Sequence, residues 1–397
     1  MFINTPYDKI NEFIDKKWLK TCTIDKDNID TIQNMYSIIR NAYNNIQHIK
    51  VTRNVTKNHT FTQETLTKIV EVTRFFPQRI NSFLIQNTGE YKRFSFKIGK
   101  RTFTIHVYCY EGYTFDEDNL NYMISWFYTA NRFAPDDECS RNLNIYLLMS
   151  PFAKFLPEAK NTMVEPKHVN SAFTYGCKEN NKIVIFRHEE WEKVLLHETF
   201  HTYNFDFHAN DFTKFRTFMK HTFRVQSDYE LFETYCETWA TLWTAAYQAY
   251  HITCQSNEPK RFINYVETLI AHEQQFSLIQ STKILNIFNM KYSDIFKQKE
   301  PKYRENTNVF CYYILKSLCL LHINAFLRVS NKCMNNPLNI IFDSKCESLW
   351  IDFFKKIYNN KETIKRTNDA HNMVLSLRNK PETNVSNNSL GRMTLFG

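Results

Sequence analysis

Glycine and proline are scarce in this sequence. Six glycines and ten prolines occur in 397 residues, which argues against a loop-rich, all-β or collagen-like fold. A chain of this length can bury a sizeable core in one large domain or in two to three small ones. We therefore expect a fold dominated by helices.

Signals for export, membrane insertion and disulfide bonding are also missing. The first eight residues lack the basic and apolar regions of a secretory signal. The most apolar run, residues 310–327, is broken by Lys316, Ser317 and other polar residues, which favours a buried helix over a membrane span. The ten cysteines include no Cys-x-x-Cys pair and no compact framework. These absences predict reduced thiols, an intracellular location and no membrane partner.

The net charge of +9 is spread along the chain rather than gathered in blocks. Residues 91–101 interleave basic and aromatic side chains, a pattern that can track a nucleic acid strand. A hairpin with a solvated cationic face explains the same pattern and is the favoured interpretation. We expect no nucleic-acid partner, although the composition leaves salt-sensitive binding open.

His197, Glu198 and His201 form a His-Glu-x-x-His sequence inside an apolar, helix-compatible run. Residues four apart lie on one face of a helix, so the two imidazoles can aim at one point that holds a zinc ion. Glu198 lies beside that point, where it can take a proton from a zinc-bound water molecule. The five-residue pattern also arises by chance, and a buried polar network without a metal is the alternative.

The sequence around this pattern favours a metal site. Residues 182–186 are predicted to form a buried strand, and the acidic residues at 189–192 suit the positive end of a helix that starts there. Leu196, Phe200 and Tyr203 then form an apolar stripe beside the histidines. We expect a strand that leads into a buried helix carrying the histidines.

A second predicted helix supplies further candidate ligands. Ser227 and Glu230 have the spacing of a capping box, so a helix should begin there. Glu233 and Glu237 lie four residues apart on one face of that helix. One of them can complete the metal site, while the other can hydrogen-bond a ligand histidine and fix its orientation.

These residues resemble the gluzincin branch of the zincin metallopeptidases, in which a glutamate on a later helix is the third ligand. The resemblance implies that His197, His201 and Glu233 bind zinc, that Glu198 is the general base and that Glu237 supports a ligand histidine. The aromatic residue and the alanine that follow Glu237 also fit the ligand position of many gluzincins. Glu237 therefore stays as the alternate third ligand.

The metzincin branch offers a different third ligand. Metzincins carry a third histidine six residues after the second, with a glycine midway. Here those positions hold Phe207 and Asn204, and His208 comes one residue late. Asparagine tolerates the left-handed turn that glycine provides, so His208 is a further, less favoured candidate ligand.

The zincin resemblance covers roughly residues 140–245. Within that range, the segments 144–150 and 186–203 and the helix that carries Glu233 and Glu237 are similar to uncharacterised zincin-like proteins of large DNA viruses. This resemblance implies no substrate. We predict a zinc-dependent endopeptidase that acts on a protein or peptide. The alternative is a viral structural or occlusion-forming protein on a zincin scaffold with a retained or relic metal site, which would self-assemble in the host cell and be packaged in virions or occlusion bodies.

The chain divides into four predicted regions within a helix-rich α+β fold. Residues 1–88 are predicted as an N-terminal helical region and residues 89–257 as a zincin-like core, with a small mixed sheet and an active-site helix. Residues 258–360 are predicted as a C-terminal helical subdomain. Few apolar residues follow, so residues 361–397 are predicted as a flexible or partner-dependent polar tail.

Local patterns place the other elements. Thr60 and Gln63 are spaced as a capping box. Gly99 separates two runs in which apolar residues alternate, which predicts a β-hairpin over residues 91–110. The remaining predicted elements are helices over residues 10–19, 29–46, 62–75, 116–131, 261–276, 303–329 and 346–358, and a strand over residues 144–149.

Two further roles have candidates in the sequence. Residues 171–176 can form an edge strand, and in zincins the sheet edge above the metal pairs with an extended substrate. A plain surface loop is an equal alternative for this segment. Gluzincins commonly use a tyrosine or histidine as oxyanion donor, for which the candidates are Tyr229, Tyr235, His208 and His221.

Overall fold

A mixed β-sheet surrounded by helices forms the fold. Helices make up most of the regular structure, which confirms the helix-rich α+β class and the small mixed sheet. The computed structural model describes residues 21–71, 75–110, 112–135, 138–254, 258–378 and 391–396.

The main sheet has six strands in the order β1-β2-β3-β4-β6-β5. Strands β3, β4 and β6 run parallel to one another, whereas β1 pairs antiparallel with β2, β2 with β3, and β5 with β6. A separate pair, β7 and β8, is parallel. The strands are β1 Thr52–His59, β2 Gly89–Ile98, β3 Arg101–Cys109, β4 Asn142–Met149, β5 Ala172–Thr174, β6 Asn180–Ile185, β7 Val225–Gln226 and β8 Tyr303–Arg304.

Helices flank the sheet and fill the second half of the chain. The predictions over residues 29–46, 116–131, 261–276 and 346–358 are confirmed by helices that cover them closely. The helices are α1 Lys26–Ile46, α2 Gln63–Val70, α3 Gln78–Gln86, α4 Glu117–Phe133, α5 Pro166–Val169, α6 Trp191–Thr202, α7 Thr213–Thr222, α8 Leu231–Thr253, α9 Pro259–Ile287, α10 Asp294–Lys297, α11 Lys316–Leu321, α12 Ile323–Cys333, α13 Ser344–Ile357 and α14 Lys361–Arg378, with a π-helix at Phe310–Leu315.

The predicted hairpin is formed by β2 and β3. Phe94 pairs with Ile105 and Phe96 with Phe103, so the alternating apolar residues share one buried face. Gly99 adopts a φ of 57° in the turn, a left-handed conformation that glycine reaches without a steric penalty.

The two faces of the sheet pack into different clusters. One face of β4 and β6, including Ile145 and Ile183, belongs to the large core that also contains residues of α4, α6 and α8. The other face, including Leu148 and Val184, packs with apolar residues of α2 and α3. Burial on both faces explains why the parallel strands are nearly continuous apolar runs in the sequence.

The N-terminal predictions are partly wrong. Strand β1 lies in the region predicted to be helical and pairs with β2. Its side chains are almost all exposed, so no apolar period marks it. Helix α2 is capped by Thr62, whose side chain accepts a hydrogen bond from Thr65 N at 3.1 Å, and not by the predicted box at Thr60. The predicted helix over residues 10–19 lies outside the described residues.

The predicted helix over residues 303–329 is also wrong as one element. Its residues form β8, the π-helix, α11 and part of α12. Among the described residues, no single helix has the length and apolarity needed to cross a membrane. The segments Phe310–Leu321 and Ile323–Cys333 pass that test only together, and they are bent by 101°.

The expectation of a flexible tail is wrong for the residues described there. Residues 361–378 form α14, which buries Ala370, Met373 and Val374 with few other apolar residues. Residues 391–396 are all buried. Residues 391–396 are held in large part by polar contacts. The number of apolar residues in the sequence does not reveal such contacts.

Four cysteines form disulfides, contrary to the expectation of reduced thiols. Cys139 pairs with Cys177, and Cys333 pairs with Cys346. The first pair is 38 residues apart in sequence and is brought together because β4 and β6 lie side by side. The other six cysteines are free.

His106 gives the fold a predicted dependence on pH. Its ring stacks on Tyr146 with centroids 4.5 Å apart, and its Nδ1 lies 2.9 Å from the Tyr91 hydroxyl. Burial lowers its pKa to about 4. As the pH falls, His106 is therefore protonated in the unfolded chain at a higher pH than in the folded protein. We expect a loss of stability of the order of 3 kcal/mol between pH 6.5 and pH 4 from this residue.

The measurement is urea unfolding across that pH range for wild type, His106→Gln and the exposed-site control His48→Gln. Between pH 6.5 and pH 4, unfolding of the His106 variant should take up about one proton fewer than unfolding of wild type. The control should behave like wild type. Identical pH dependence in all three proteins would refute the assignment.

Candidate metal centre

Helix α6 carries the His-Glu-x-x-His residues through the interior of the protein. Strand β6 precedes it, as the sequence predicts, and every residue from Lys193 to Phe200 is buried. The predicted stripe of Leu196, Phe200 and Tyr203 is fully buried. A polar side chain on such a helix has lost its hydration and needs a partner inside the protein.

Two histidines and one glutamate converge beside α6. The Nε2 atoms of His197 and His201 lie 3.0 Å apart. Glu233 Oε2 lies 3.4 Å from His197 Nε2 and 3.5 Å from His201 Nε2. Ligand atoms around a tetrahedral zinc ion at about 2.0–2.2 Å stand about 3.3 Å apart. The three atoms therefore have the spacing of a metal site, and the residues that carry them are largely buried.

One oxygen of Glu233 has no hydrogen-bond donor within the part of the chain that the structure describes. Its Oε1 accepts from Asn308 Nδ2 at 3.1 Å, whereas the buried Oε2 receives no hydrogen bond from the described residues. A buried acceptor left without a partner destabilises a fold by about 1–3 kcal/mol, and more when it is charged. A cation between this oxygen and the two imidazoles would satisfy it. The residues present therefore fit a bound metal ion.

Helix α8, which carries Glu233, does not begin at the predicted residue. The helix begins at Leu231, and the predicted Ser227–Glu230 capping box is wrong. Tyr229 adopts a φ of 54° just before the helix, and Glu230 pairs through both oxygens with Arg216 at 2.7 Å. Glu233 therefore lies in the first turn of α8.

Glu237 lies one turn further along α8, behind the first histidine. Its Oε1 is 3.3 Å from Nδ1 of His197, the ring nitrogen that faces away from the cluster. This contact is slightly longer than a good hydrogen bond. Lys193 Nζ donates to both oxygens of Glu237 at 2.8 and 2.7 Å, and the pair is buried. The geometry thus places Glu233, and not Glu237, in the cluster with the two histidines, and places Glu237 against the far ring nitrogen of His197.

Asp206 supports the second histidine, a role that the sequence analysis missed. Its Oδ2 lies 2.5 Å from His201 Nδ1. The chain reaches this position because Asn204 takes a left-handed turn, with a φ of 58°, just after α6. Carboxylates behind metal-binding histidines fix the tautomer and the ring orientation. An acid shortly after a turn-forming asparagine was the available sequence signal.

His208 contacts Asp206 and is not itself part of the cluster. Its Nδ1 lies 2.7 Å from the other oxygen of Asp206, and it is not in the cluster of His197, His201 and Glu233. A second cluster, His201, Asp206 and Cys236, shares His201 with the first. Burial and the surrounding carboxylates raise the pKa of Cys236 well above its usual value.

The charges in the centre complement one another. Burial by itself lowers the pKa of His201, but Glu233 and Asp206 raise it well above its usual value. Burial by itself raises the pKa of Glu233, but the facing His201 and His197 hold that pKa well below its usual range. Glu233 is therefore kept as a carboxylate, the form that binds a cation.

Glu198 is buried next to the ligand histidines without being part of the ligand cluster. Burial raises its pKa, and the carboxylates of Glu233 and Glu237 add to the rise, while His197 and His201 oppose it. A carboxylate with a raised pKa is a better proton acceptor near neutral pH. Glu198 is therefore a buried carboxylate beside the two histidines with a pKa above its ordinary value.

Tyr312 faces the centre from the π-helix. Its ring lies edge-on to the ring of His197, with centroids 6.1 Å apart, and its side chain is partly exposed, unlike the rest of the π-helix. Desolvation of this partly buried side chain raises its pKa, and the nearby carboxylates of Glu233, Glu237 and Glu198 add to the rise. Single π-helical turns are frequent at functional sites. No local pattern marks Tyr312 in the sequence.

The oxyanion donors predicted from the sequence have different surroundings. Tyr229 donates to the backbone oxygen of Val225 at 3.0 Å. Tyr235 is fully buried among aromatic rings, including that of Phe207. His221 is exposed and contacts the backbone of its own helix. Their contacts are those of packing and backbone support, whereas Tyr312 contacts a ligand histidine.

Strand β5 lies at the edge of the sheet beside α6. It pairs with β6 on one side and has no strand partner on the other among the described residues, which confirms the predicted edge strand. Thr174 Oγ1 lies 3.0 Å from Thr202 Oγ1 at the end of α6. The edge is therefore fixed relative to the helix that carries the histidines.

No protein-family model, curated protein or solved structure matches the sequence. The chemistry of the residues in this centre therefore carries the functional assignment.

Asp206 gives a direct test of the support behind His201. Asp206→Asn keeps the size of the side chain and removes its charge, so the affinity for Zn²⁺ should fall about 10–100-fold. The dissociation constant is measured by competition with a chromophoric chelator. Asp211→Asn, which changes an exposed carboxylate bonded to Thr213, is the matched control. Equal affinities in the two variants would contradict the assigned role.

Proposed function

We propose that the protein is a zinc-dependent peptidase. The observation that carries the proposal is the convergence of His197 Nε2, His201 Nε2 and the unpartnered Glu233 Oε2, with Glu198 on the same helix as the histidines. Two imidazoles and one carboxylate are a donor set of catalytic zinc sites, which keep a coordination position open.

The residues have separate tasks in this proposal. His197, His201 and Glu233 would hold the metal, while Glu237 and Asp206 orient the two imidazoles. Zinc bound there supplies Lewis acidity to a substrate carbonyl and to a water molecule. The buried setting strengthens each electrostatic contact in the site.

Glu198 is the general base. Its carboxylate accepts a proton as water attacks the peptide carbonyl, and it returns that proton to the amine that leaves. A raised pKa suits both transfers, because the group must hold the proton between the two steps.

Tyr312 is the oxyanion donor in the proposal. Its raised pKa keeps the phenol protonated, so its O–H can donate to the negative charge that develops on the carbonyl oxygen. Edge strand β5 would pair with an extended peptide substrate, a mode of recognition that adds a strand to the sheet.

The alternative of a viral structural or occlusion-forming protein stays a prediction. It would be favoured by extended contacts between copies of the chain through the C-terminal region.

Metal content and peptide hydrolysis test the proposal together. Elemental mass spectrometry should find one zinc per wild-type chain. Glu198→Gln should keep the zinc and reduce the hydrolysis of a mixed peptide library about 10²–10⁴-fold, because only the proton acceptor is lost. Zinc with no hydrolysis in wild type would leave a structural metal, and absence of zinc would overturn the site.

A pair of glutamate variants tests which residue is the third ligand. Glu233→Gln removes the ligand charge and should abolish stoichiometric zinc. Glu237→Gln, the same change one turn later, should keep zinc with an affinity weakened about 10–100-fold. The reverse order of zinc affinities would assign the ligand to Glu237 instead.

Tyr312→Phe tests the oxyanion donor. The variant removes one hydroxyl, so kcat should fall about 100-fold with zinc affinity and KM nearly unchanged. Tyr128→Phe on α4 is the control and should match wild type. A variant at Tyr312 with normal kcat would show that the hydroxyl takes no part in catalysis.

A further inference from the structure

The C-terminal segment, residues 391–396, is buried against the helix that carries the histidines. Met393 N and Thr394 N each donate to Glu190 Oε1 at 2.6 Å. Leu395 N donates to Glu273 Oε1 at 2.7 Å, and the Thr394 hydroxyl donates to the same oxygen. Two buried carboxylates thus bind the backbone of the segment along one edge.

The carbonyl groups of the segment are bound as well. Gln280 Nε2 donates to the backbone oxygen of Arg392 at 2.6 Å. Tyr313 of the π-helix donates to Gly391 O, and Lys316 of α11 donates to Met393 O. The segment is therefore held like a bound peptide, by side chains from α9, the π-helix, α11 and the start of α6.

Buried acidic and basic side chains lie around and within the segment. Lys154 pairs with Glu190 at 2.6 Å, and Lys193 pairs with Glu237 at 2.7 Å. Such ions are stable in a protein interior only when their partners stay in place. The set contains four cations, Lys154, Lys193, Lys316 and Arg392, and four acids, Glu189, Glu190, Glu237 and Glu273, all buried.

The segment reaches the metal centre through Lys193. Met393 Sδ lies 3.9 Å from Lys193 Nζ. The same ammonium group binds both oxygens of Glu237, which lies 3.3 Å from His197 Nδ1. A continuous series of contacts therefore joins the C-terminal segment to the first ligand histidine.

The segment also binds the residue that begins α6. Glu190 is the N-cap of the helix and has a φ of 60°, a left-handed conformation that costs a residue with a side chain about 1 kcal/mol or more. Its carboxylate is held by Met393 N, Thr394 N and Lys154. Without the segment, Glu190 would lose two of these three donors and the start of α6 would be less firmly fixed.

We propose that the C-terminal segment is a positioning element of the metal centre, and that its docking and zinc binding stabilise each other. The inference rests on the metal site of the proposed function but not on peptidase activity. Docking fixes Glu190 at the start of α6 and holds Lys193 against Glu237, which together set the orientation of His197. By linkage, a segment that tightens zinc binding is itself held more tightly when zinc is bound.

Two matched glutamate variants of the full chain test the first half of the proposal. Glu273→Gln replaces a carboxylate that accepts hydrogen bonds from the segment. Glu347→Gln makes the same change at a buried glutamate on α13 that accepts from Phe215 N at 2.9 Å. The dissociation constant for zinc should rise about 10–100-fold in the first variant and stay within about twofold of wild type in the second.

Equal zinc affinity in wild type and the folded Glu273→Gln variant would overturn the proposal. A similar weakening in both variants would overturn it too, because it would mark a general loss of stability. Circular dichroism and thermal melting of each variant establish that the compared proteins are folded.

Hydrogen exchange of the wild-type chain tests the reciprocal half without any change near the segment. The amides of residues 393–396 should exchange at least about tenfold more slowly with zinc than after chelation. Glu233→Gln, which lacks a ligand, should lose this zinc-dependent protection. Zinc binding with unchanged exchange would overturn the coupling and leave the proposed function standing, whereas absence of zinc binding would overturn both.

Discussion

A buried carboxylate oxygen that has no hydrogen-bond donor among the described residues is the constraint on which this centre depends. Glu233 Oε2 faces the Nε2 atoms of His197 and His201 at 3.4 and 3.5 Å, and those two nitrogens lie 3.0 Å from each other. A proton can bridge two of these three atoms, but it leaves the third without a partner. A metal cation bonds to all three at once, at the separation that tetrahedral zinc requires. The arrangement is therefore better satisfied by a metal than by protonation alone.

The surrounding fold holds these atoms in place through carboxylates behind the imidazoles. Asp206 reaches His201 because the chain reverses at Asn204, and Glu237 reaches the far side of His197 from α8. Lys193 binds Glu237, and the C-terminal segment binds around Lys193. Buried ions of this kind add little net stability compared with apolar residues. Under the proposed function, their placement around one helix serves the precise orientation that a metal site needs.

Features that depend on the spacing of nearby residues could be predicted from the sequence. Residues four apart on a helix share a face, so the His197–His201 pair could be read directly, and period-two alternation around Gly99 revealed the β2–β3 hairpin. Strand β1 was missed because its exposed side chains have no apolar period. Asn308, Tyr312 and the C-terminal segment were missed for a different reason. Their roles arise from contacts such as Asn308 with Glu233, 75 residues apart, and Met393 with Glu190, 203 residues apart, which no local pattern records. The disulfide partners were hidden in the same way.

X-ray absorption at the zinc edge of the metal-loaded protein tests the central claim most directly, because it reports the atoms bound to the metal independently of any substrate. The account predicts a light-atom shell at about 2.0–2.1 Å with the outer-shell scattering of two imidazoles and no sulfur. A sulfur neighbour at about 2.3 Å would place the metal at Cys236, and a shell with fewer than two imidazoles would contradict the site formed by His197, His201 and Glu233.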